Sequence, residues 1–195
     1  MKYYLIVALL TLSISTSAEE VRGYDILVAG IKIGELTASR DTQDSVTIYS
    51  LSSSISFWFL GRINVKHSIV SSYASGKLIS SYVETMSSRG NYKSSVVWKD
   101  DNYNVSVDAY QHRKDTILSA PIQFNVARLY FEEPQEITSL LADTYGEIVS
   151  SSRIGERSYQ VISNGSKNKF YYYGGEMQKA IMHNPIKNFE IRHRQ

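Results

Sequence analysis

Between Tyr24 and Arg40 apolar and polar residues alternate on both sides of a small pair, Ala29-Gly30. A period of two places alternate side chains on opposite faces of an extended strand. Glycine supplies the positive φ that a tight hairpin reversal needs. A chain that repeats this unit folds as an antiparallel sheet, because its connections are too short for helical crossovers. The repeats continue downstream. Along Val46–Phe59 one face carries Thr47, Tyr49, Leu51, Ser53, Ile55, Phe57 and Phe59, and the other Ser50, Ser52, Ser54 and Ser56. Apolar residues opposite serines mark a strand with one face buried and one solvated.

Glycine-containing turns separate the units. Gly30, Gly34, Gly61, Gly76, Gly90, Gly165 and Gly175 are assigned as structural turn positions, and Asp100-Asp101-Asn102 as a further turn. Ile63, Val65, His67, Ile69 and Tyr73 share one face of the next strand. After it, Leu78, Tyr82 and Met86 share a face with Ser80 and Glu84, and then Tyr92, Val96 and Trp98 align. Residues 113–143 break the rhythm: Ser119-Ala120-Pro121 reads as a helix start, giving a short helical insert around 119–142. Strands resume from Thr144 to Arg194. Three prolines and fifteen tyrosines suit a strand-rich chain. The expected fold is mainly β: a strongly curved antiparallel meander, a half-barrel or open barrel, with that insert.

Residues 1–18 read as a secretory signal peptide: Lys2, an apolar run from Tyr3 to Leu12, and the small-residue exit Thr16-Ser17-Ala18. Ten apolar residues in a helix reach about 15 Å, half of the ~30 Å hydrocarbon core, so cleavage near Ala18 is expected rather than anchoring. The remainder, 19–195, is expected to be one β-rich domain, periplasmic or secreted and not membrane-spanning. No cysteine is present, which excludes a disulfide framework, thiol nucleophiles and lipidation at cysteine. A formal charge of +2 over the whole chain provides no field for a polyanion, so nucleic acid is not an expected partner.

The spacing Gly30-x-x-Ile33-Gly34, then Gly61, Gly76-x-Leu78 and Gly90, with Tyr171-Tyr172-Tyr173-Gly174-Gly175 near the end, resembles an uncharacterised exported bacterial domain-of-unknown-function family. Its members open on a G-x-x-I-G hairpin and run through a β-meander. In shape such families resemble the periplasmic lipoprotein carriers, whose half-barrel is closed on one side by helices. The resemblance implies a curved sheet and a cavity, and it carries over no catalytic residues.

Chemistry-bearing residues form no strong motif. His67, His112, His183 and His193 lack ligand spacing, so no metal and no cofactor are expected, and His67 reads as a hydrogen-bonded core histidine. A hydrolase would need at least two of Asp25, Glu35, Glu84 and Asp108 in one cleft. Serine is abundant without a Gly-x-Ser-x-Gly elbow. The aromatics Tyr49, Phe57, Tyr73, Tyr82, Tyr92 and Trp98 are the speculative ligand-binding set. On a concave face they either line a pocket or fill a core, and burial worth roughly 1.5–3 kcal/mol per side chain explains the latter unaided. At least one residue of Tyr171-Tyr172-Tyr173 should be exposed. The late basic residues Lys167, Lys169, Lys179, Lys187, Arg192, His193 and Arg194 form either a solvated edge or a contact for anionic headgroups. These features fit a non-enzymatic envelope binding module for a lipid or other apolar or amphipathic ligand. The alternative is a structural or interaction domain with an envelope protein partner.

Overall fold

A computed structural model describes residues 18–58, 62–88, 90–109, 112–183 and 187–194. Fourteen strands form a single antiparallel sheet: β1 (Glu20–Val28), β2 (Ile31–Gln43), β3 (Val46–Trp58), β4 (Arg62–Ala74), β5 (Lys77–Ser87), β6 (Gly90–Lys99), β7 (Asn102–Ala109), β8 (His112–Leu118), β9 (Ser139–Ala142), β10 (Glu147–Gly155), β11 (Ser158–Ser163), β12 (Ser166–Tyr173), β13 (Glu176–Met182) and β14 (Phe189–His193). The spatial order is β8-β7-β6-β5-β4-β3-β2-β1-β14-β13-β12-β11-β10-β9. One meander therefore runs outward from β1 and a second returns to β14, which pairs with β1 (Tyr24 opposite His193). The sheet does not close, as β8 and β9 remain its two edges.

The hairpin reading holds at its decisive points. Both central residues have positive φ at Ala29-Gly30, Ser75-Gly76, Asp100-Asp101, Asn164-Gly165 and Gly174-Gly175. This is the geometry that matches the strand twist. Gly34 is different: it lies inside β2 opposite Ile55. A Cβ there would stand 2.3 Å from the Ser54 carbonyl oxygen, so close strand approach, not a turn, requires glycine. Gly61 lies outside the described residues, as do residues 1–17 of the expected signal peptide.

The shared face expected for Leu78, Tyr82 and Met86 is corrected by a β-bulge. Tyr73 pairs with Leu78 but Ser72 pairs with Ser80, leaving Ile79 as an extra residue. The bulge reverses the facing of the rest of β5. Leu78, Ser81 and Val83 are buried, while Tyr82 and Met86 are exposed on the convex side.

Helix is minimal in the insert around 119–142, where a single 3-10 turn, Arg128–Tyr130, forms, with a second at Asp143–Tyr145 just beyond it. The backbone finds its partners in the barrel wall instead: Leu78 N donates to Ile122 O, Val126 N to Leu141 O and Leu141 N to Phe124 O. A buried segment satisfies its amides somewhere, and here the strands supply the bonds. The insert becomes an internal plug, with Ile122, Phe124, Ala127, Leu129, Tyr130 and Phe131 buried against the inner face of the sheet. Phe124–Val126 also shields the β9 edge. The other edge, β8, carries Arg113, Lys114 and Asp115, charges that discourage strand addition.

Candidate functional site

Strand direction defines two ends of the open barrel. One end holds the β2–β3, β4–β5, β6–β7 and β12–β13 turns, and it is filled by the plug. Tyrosine hydroxyls clamp the plug there: Tyr24 donates to Tyr130 O (3.2 Å), Tyr172 to Leu129 O (2.7 Å), Tyr49 to Glu132 Oε1 (2.5 Å) and Tyr159 to Glu133 Oε1 (2.8 Å). Tyr103 donates to Leu78 O and accepts from Ile122 N. Rings pack edge-on beside these bonds, Tyr24 on Tyr130 at 5.3 Å and Tyr49 on Tyr73 at 5.6 Å. Burial raises the Tyr24 and Tyr49 phenols to about 12, with the Glu132 carboxylate adding to the effect at Tyr49. They stay protonated donors. Arg128 reaches back to Glu132 and lies over the Tyr73 and Phe124 rings.

A second anchor lies deeper. Asp143 is fully buried; its Oδ1 accepts from Ser81 Oγ (2.5 Å) and Asn125 Nδ2 (2.8 Å), and its Oδ2 from Val126 N (3.1 Å). Asn125 also donates to Ser71 Oγ, and Ser94 donates to the Asp143 carbonyl. Burial pushes the carboxyl upward, and the donors from Ser81, Asn125 and Val126 oppose that push. The cluster ties the plug to β4, β5 and β6.

At the opposite end the interior is not filled. A cavity of about 310 Å³ is walled by Ile26, Leu36, Leu51, Ile55, Val65 and Ile69 on one side and by Val161, Phe170, Met182, Phe189 and Ile191 on the other. Val126 and Tyr130 of the plug form its floor. Ser53, His67, Thr85, Asp143, Thr144, Ser163 and Asn168 provide scattered polar atoms, and no lysine or arginine lines it among the described residues. Ser163 Oγ is buried without a hydrogen-bond partner. His67 Nδ1 and Thr85 Oγ1 are 2.7 Å apart, and burial without a countercharge lowers the imidazole to about 4. Unfolding returns it to its ordinary 6.5. The neutral ring therefore contributes stability in full above pH 6.5, and this is lost as pH falls toward 4. We expect His67→Gln to flatten the acid limb of a urea-melt series across that window, by on the order of 3 kcal/mol at most; an unchanged slope would show the ring to be solvated.

None of the six speculative ligand-binding aromatics lines this cavity. Tyr49 and Tyr73 are buried against the plug, and Trp98 packs on Tyr103 at 4.8 Å with Lys77 Nζ over its ring. Phe57 and Tyr92 are half-buried on the concave side, and Tyr82 is exposed on the convex face. On β3 and β4, the strands that carry Tyr49, Phe57 and Tyr73, it is the aliphatic residues Leu51, Ile55, Val65 and Ile69 that line the cavity instead. Their signal was the inward row Leu51-x-Ser53-x-Ile55 facing Val65-x-His67-x-Ile69. The Asp143 anchor had no periodic signal at all.

The carboxylates Asp25 and Glu35 do sit opposite each other, but Lys32 Nζ bridges them at 2.8 and 2.6 Å. Glu84 is paired with Lys93 and Asp108 with Arg113. Of the late tyrosines, Tyr172 is buried and Tyr173 exposed. Arg192 pairs with Glu190 and Arg194 with Asp25 and Glu35, so these late cations are engaged. Among the described residues no group of three histidine or acidic side chains could hold a metal, and no helix is long and apolar enough to cross a membrane.

An open antiparallel barrel with an internal plug at one end and an apolar cavity at the other defines the class of protein. The chain belongs to the family described as a domain of unknown function (DUF6134), whose profile matches residues 24–194. Among solved structures it is similar to a beta-barrel-like protein of domain of unknown function DUF1849 from Brucella abortus. That likeness has a TM-score of 0.56 at 9% identity and covers 92% of this chain and 96% of the other. It is a likeness of fold. No curated protein matches the sequence.

Proposed function

We propose that the chain is an exported binding module, released into the periplasm or medium after cleavage near Ala18, that holds one apolar or amphipathic molecule in the cavity. The observation carrying this reading is the contrast between the two halves of the interior. One is packed by the chain's own plug, and the other is left as a cavity of about 310 Å³ with an aliphatic wall. Ligand pockets span roughly 300–1,000 Å³, so the space suits a single short acyl chain. With no cation among the described lining residues, an anionic headgroup finds no countercharge from them inside. The enclosed part of the ligand is neutral, and any charge stays at the mouth.

Each buried methylene contributes about 0.8 kcal/mol. Affinity for a series of monoacylglycerols should therefore rise about fourfold per methylene and level off once the cavity is full. Val65→Trp, which projects an indole into the cavity from its wall, should lower that affinity by at least about tenfold, an amount matching the loss of two methylene contacts. Native mass spectrometry after incubation reads both. An empty protein at every chain length, or equal uptake by Val65→Trp, would sink the proposal. Intact mass of envelope-derived protein tests export, with Glu19 expected as the first residue.

A further inference from the structure

We propose that the rim of the barrel beside the cavity docks onto an anionic lipid surface through Trp58 and Met86 together with Arg62 and Lys66. Trp58 is 79% exposed at the end of β3. It pairs with Arg62, and Lys66 pairs with Met86, which is 47% exposed. The patch thus spans β3 to β5 on the convex face, with Lys66 four residues along β4 from Arg62. Its inner side at the same level is Ile55 and Val65, the cavity wall. The convex-facing positions before Trp58 on β3 are Ser52, Ser54 and Ser56, so the exposed indole departs from the pattern of its own strand. Ile31 is not part of this face: a bulge at Ile33 pairs Leu27 with Lys32, whose Nζ reaches Asp25 and Glu35 on the convex side, and so turns Ile31 inward with Val28.

Charge selects the occupant. Arg62 and Lys66 are both exposed and form no ion pair among the described residues, whereas Lys32, Lys93, Arg113 and Arg192 all do. An indole and a methionine flanked by unpaired cations fit the headgroup boundary, where tryptophan prefers to lie and each basic residue adds about 1 kcal/mol of attraction. Docking there would bring the cavity end to the source of its ligand. That consequence rests on the binding-module reading, but the docking surface itself does not.

The test uses protein whose intact mass shows cleavage after Ala18, in a Trp98→Phe background so that emission reports Trp58 alone. Vesicles of phosphatidylcholine, with or without phosphatidylglycerol, are the probes. Expected are salt-sensitive flotation with the anionic vesicles, a blue shift of Trp58, and its quenching by brominated lipid. Arg62→Ser with Lys66→Ser should weaken binding about thirtyfold, and Trp58→Ser should abolish the fluorescence response and weaken flotation, with the circular dichroism melt unchanged in both. Flotation indifferent to these substitutions, or none with either vesicle, would overturn the proposal. So would a Trp58-dependent dimer in sedimentation without vesicle binding, which would assign the patch to a second copy. Val65→Trp separates the two readings: docking should survive it while ligand uptake falls. A native protein that docks but takes up no monoacylglycerol supports the rim and overturns the cavity.

Discussion

Asp143→Ala is expected to destabilise the protein by about 3–5 kcal/mol in equilibrium urea denaturation, because it strands two buried donors at once. Ser81 Oγ and one hydrogen of Asn125 Nδ2 lose their acceptor with the buried carboxylate, whereas Val126 N keeps Leu141 O. An unmade bond of this kind costs about 1–3 kcal/mol per group. Asp143→Asn keeps one carbonyl acceptor but turns an amide toward the remaining donors, so a smaller loss is expected. The effect should be read in the plug as well as globally. Tyr130 and Val126 floor the cavity, so a loosened plug should also weaken ligand uptake. A loss below about 1 kcal/mol, within the range of an ordinary single hydrogen bond, would show that the cluster is not what holds the insert.

The second large effect is expected at Gly34. An alanine Cβ there would meet the Ser54 carbonyl oxygen at 2.3 Å and the Ile55 Cα at 2.9 Å. These are backbone atoms of the neighbouring strand, so no rotamer change can relieve the clash. Strands β2 and β3 must part, and we expect a loss of about 3 kcal/mol, the upper end for overpacking, read by thermal and urea melts. Gly30→Ala is the contrast. Its φ of +81° is strained for alanine, but nothing lies within 4 Å, so only about 1–2 kcal/mol is expected. If the two variants melt alike, backbone conformation and not strand approach limits β2. Ile55 lines the cavity, so Gly34→Ala should also impair binding.

Hairpin turns and strand faces could be read from sequence because both are local. The Asn164-Gly165 and Ala29-Gly30 pairs fix their own backbone, and alternation over Val46–Trp58 fixes which side chains point inward. The β5 facing was hidden because a bulge at Ile79 is one residue in a run that alternates equally well in either register. Around 119–142 the spacing suggested helix, but the amides of Val126 and Leu141 find partners only once the sheet surrounds them. Tyrosine abundance was visible, while its use was not. Whether a phenol lines a pocket or clamps a plug depends on carbonyls such as Leu129 O and Tyr130 O, which are distant in sequence. The cavity itself is a remainder, the space the plug does not reach.

The β1–β14 seam also governs when the molecule can become itself. Every other strand pairing joins neighbours along the chain, so each meander can zip from its own hairpins at small loop-closure entropy. The seam alone must bring Tyr24 to His193, the kind of distant contact that slows folding. A chain emerging from its start end first would hold β1 with one bare flank until Phe189–His193 appears. Nearly the whole polypeptide thus remains an unfinished sheet, and completion comes as one late event at the middle rather than at an edge.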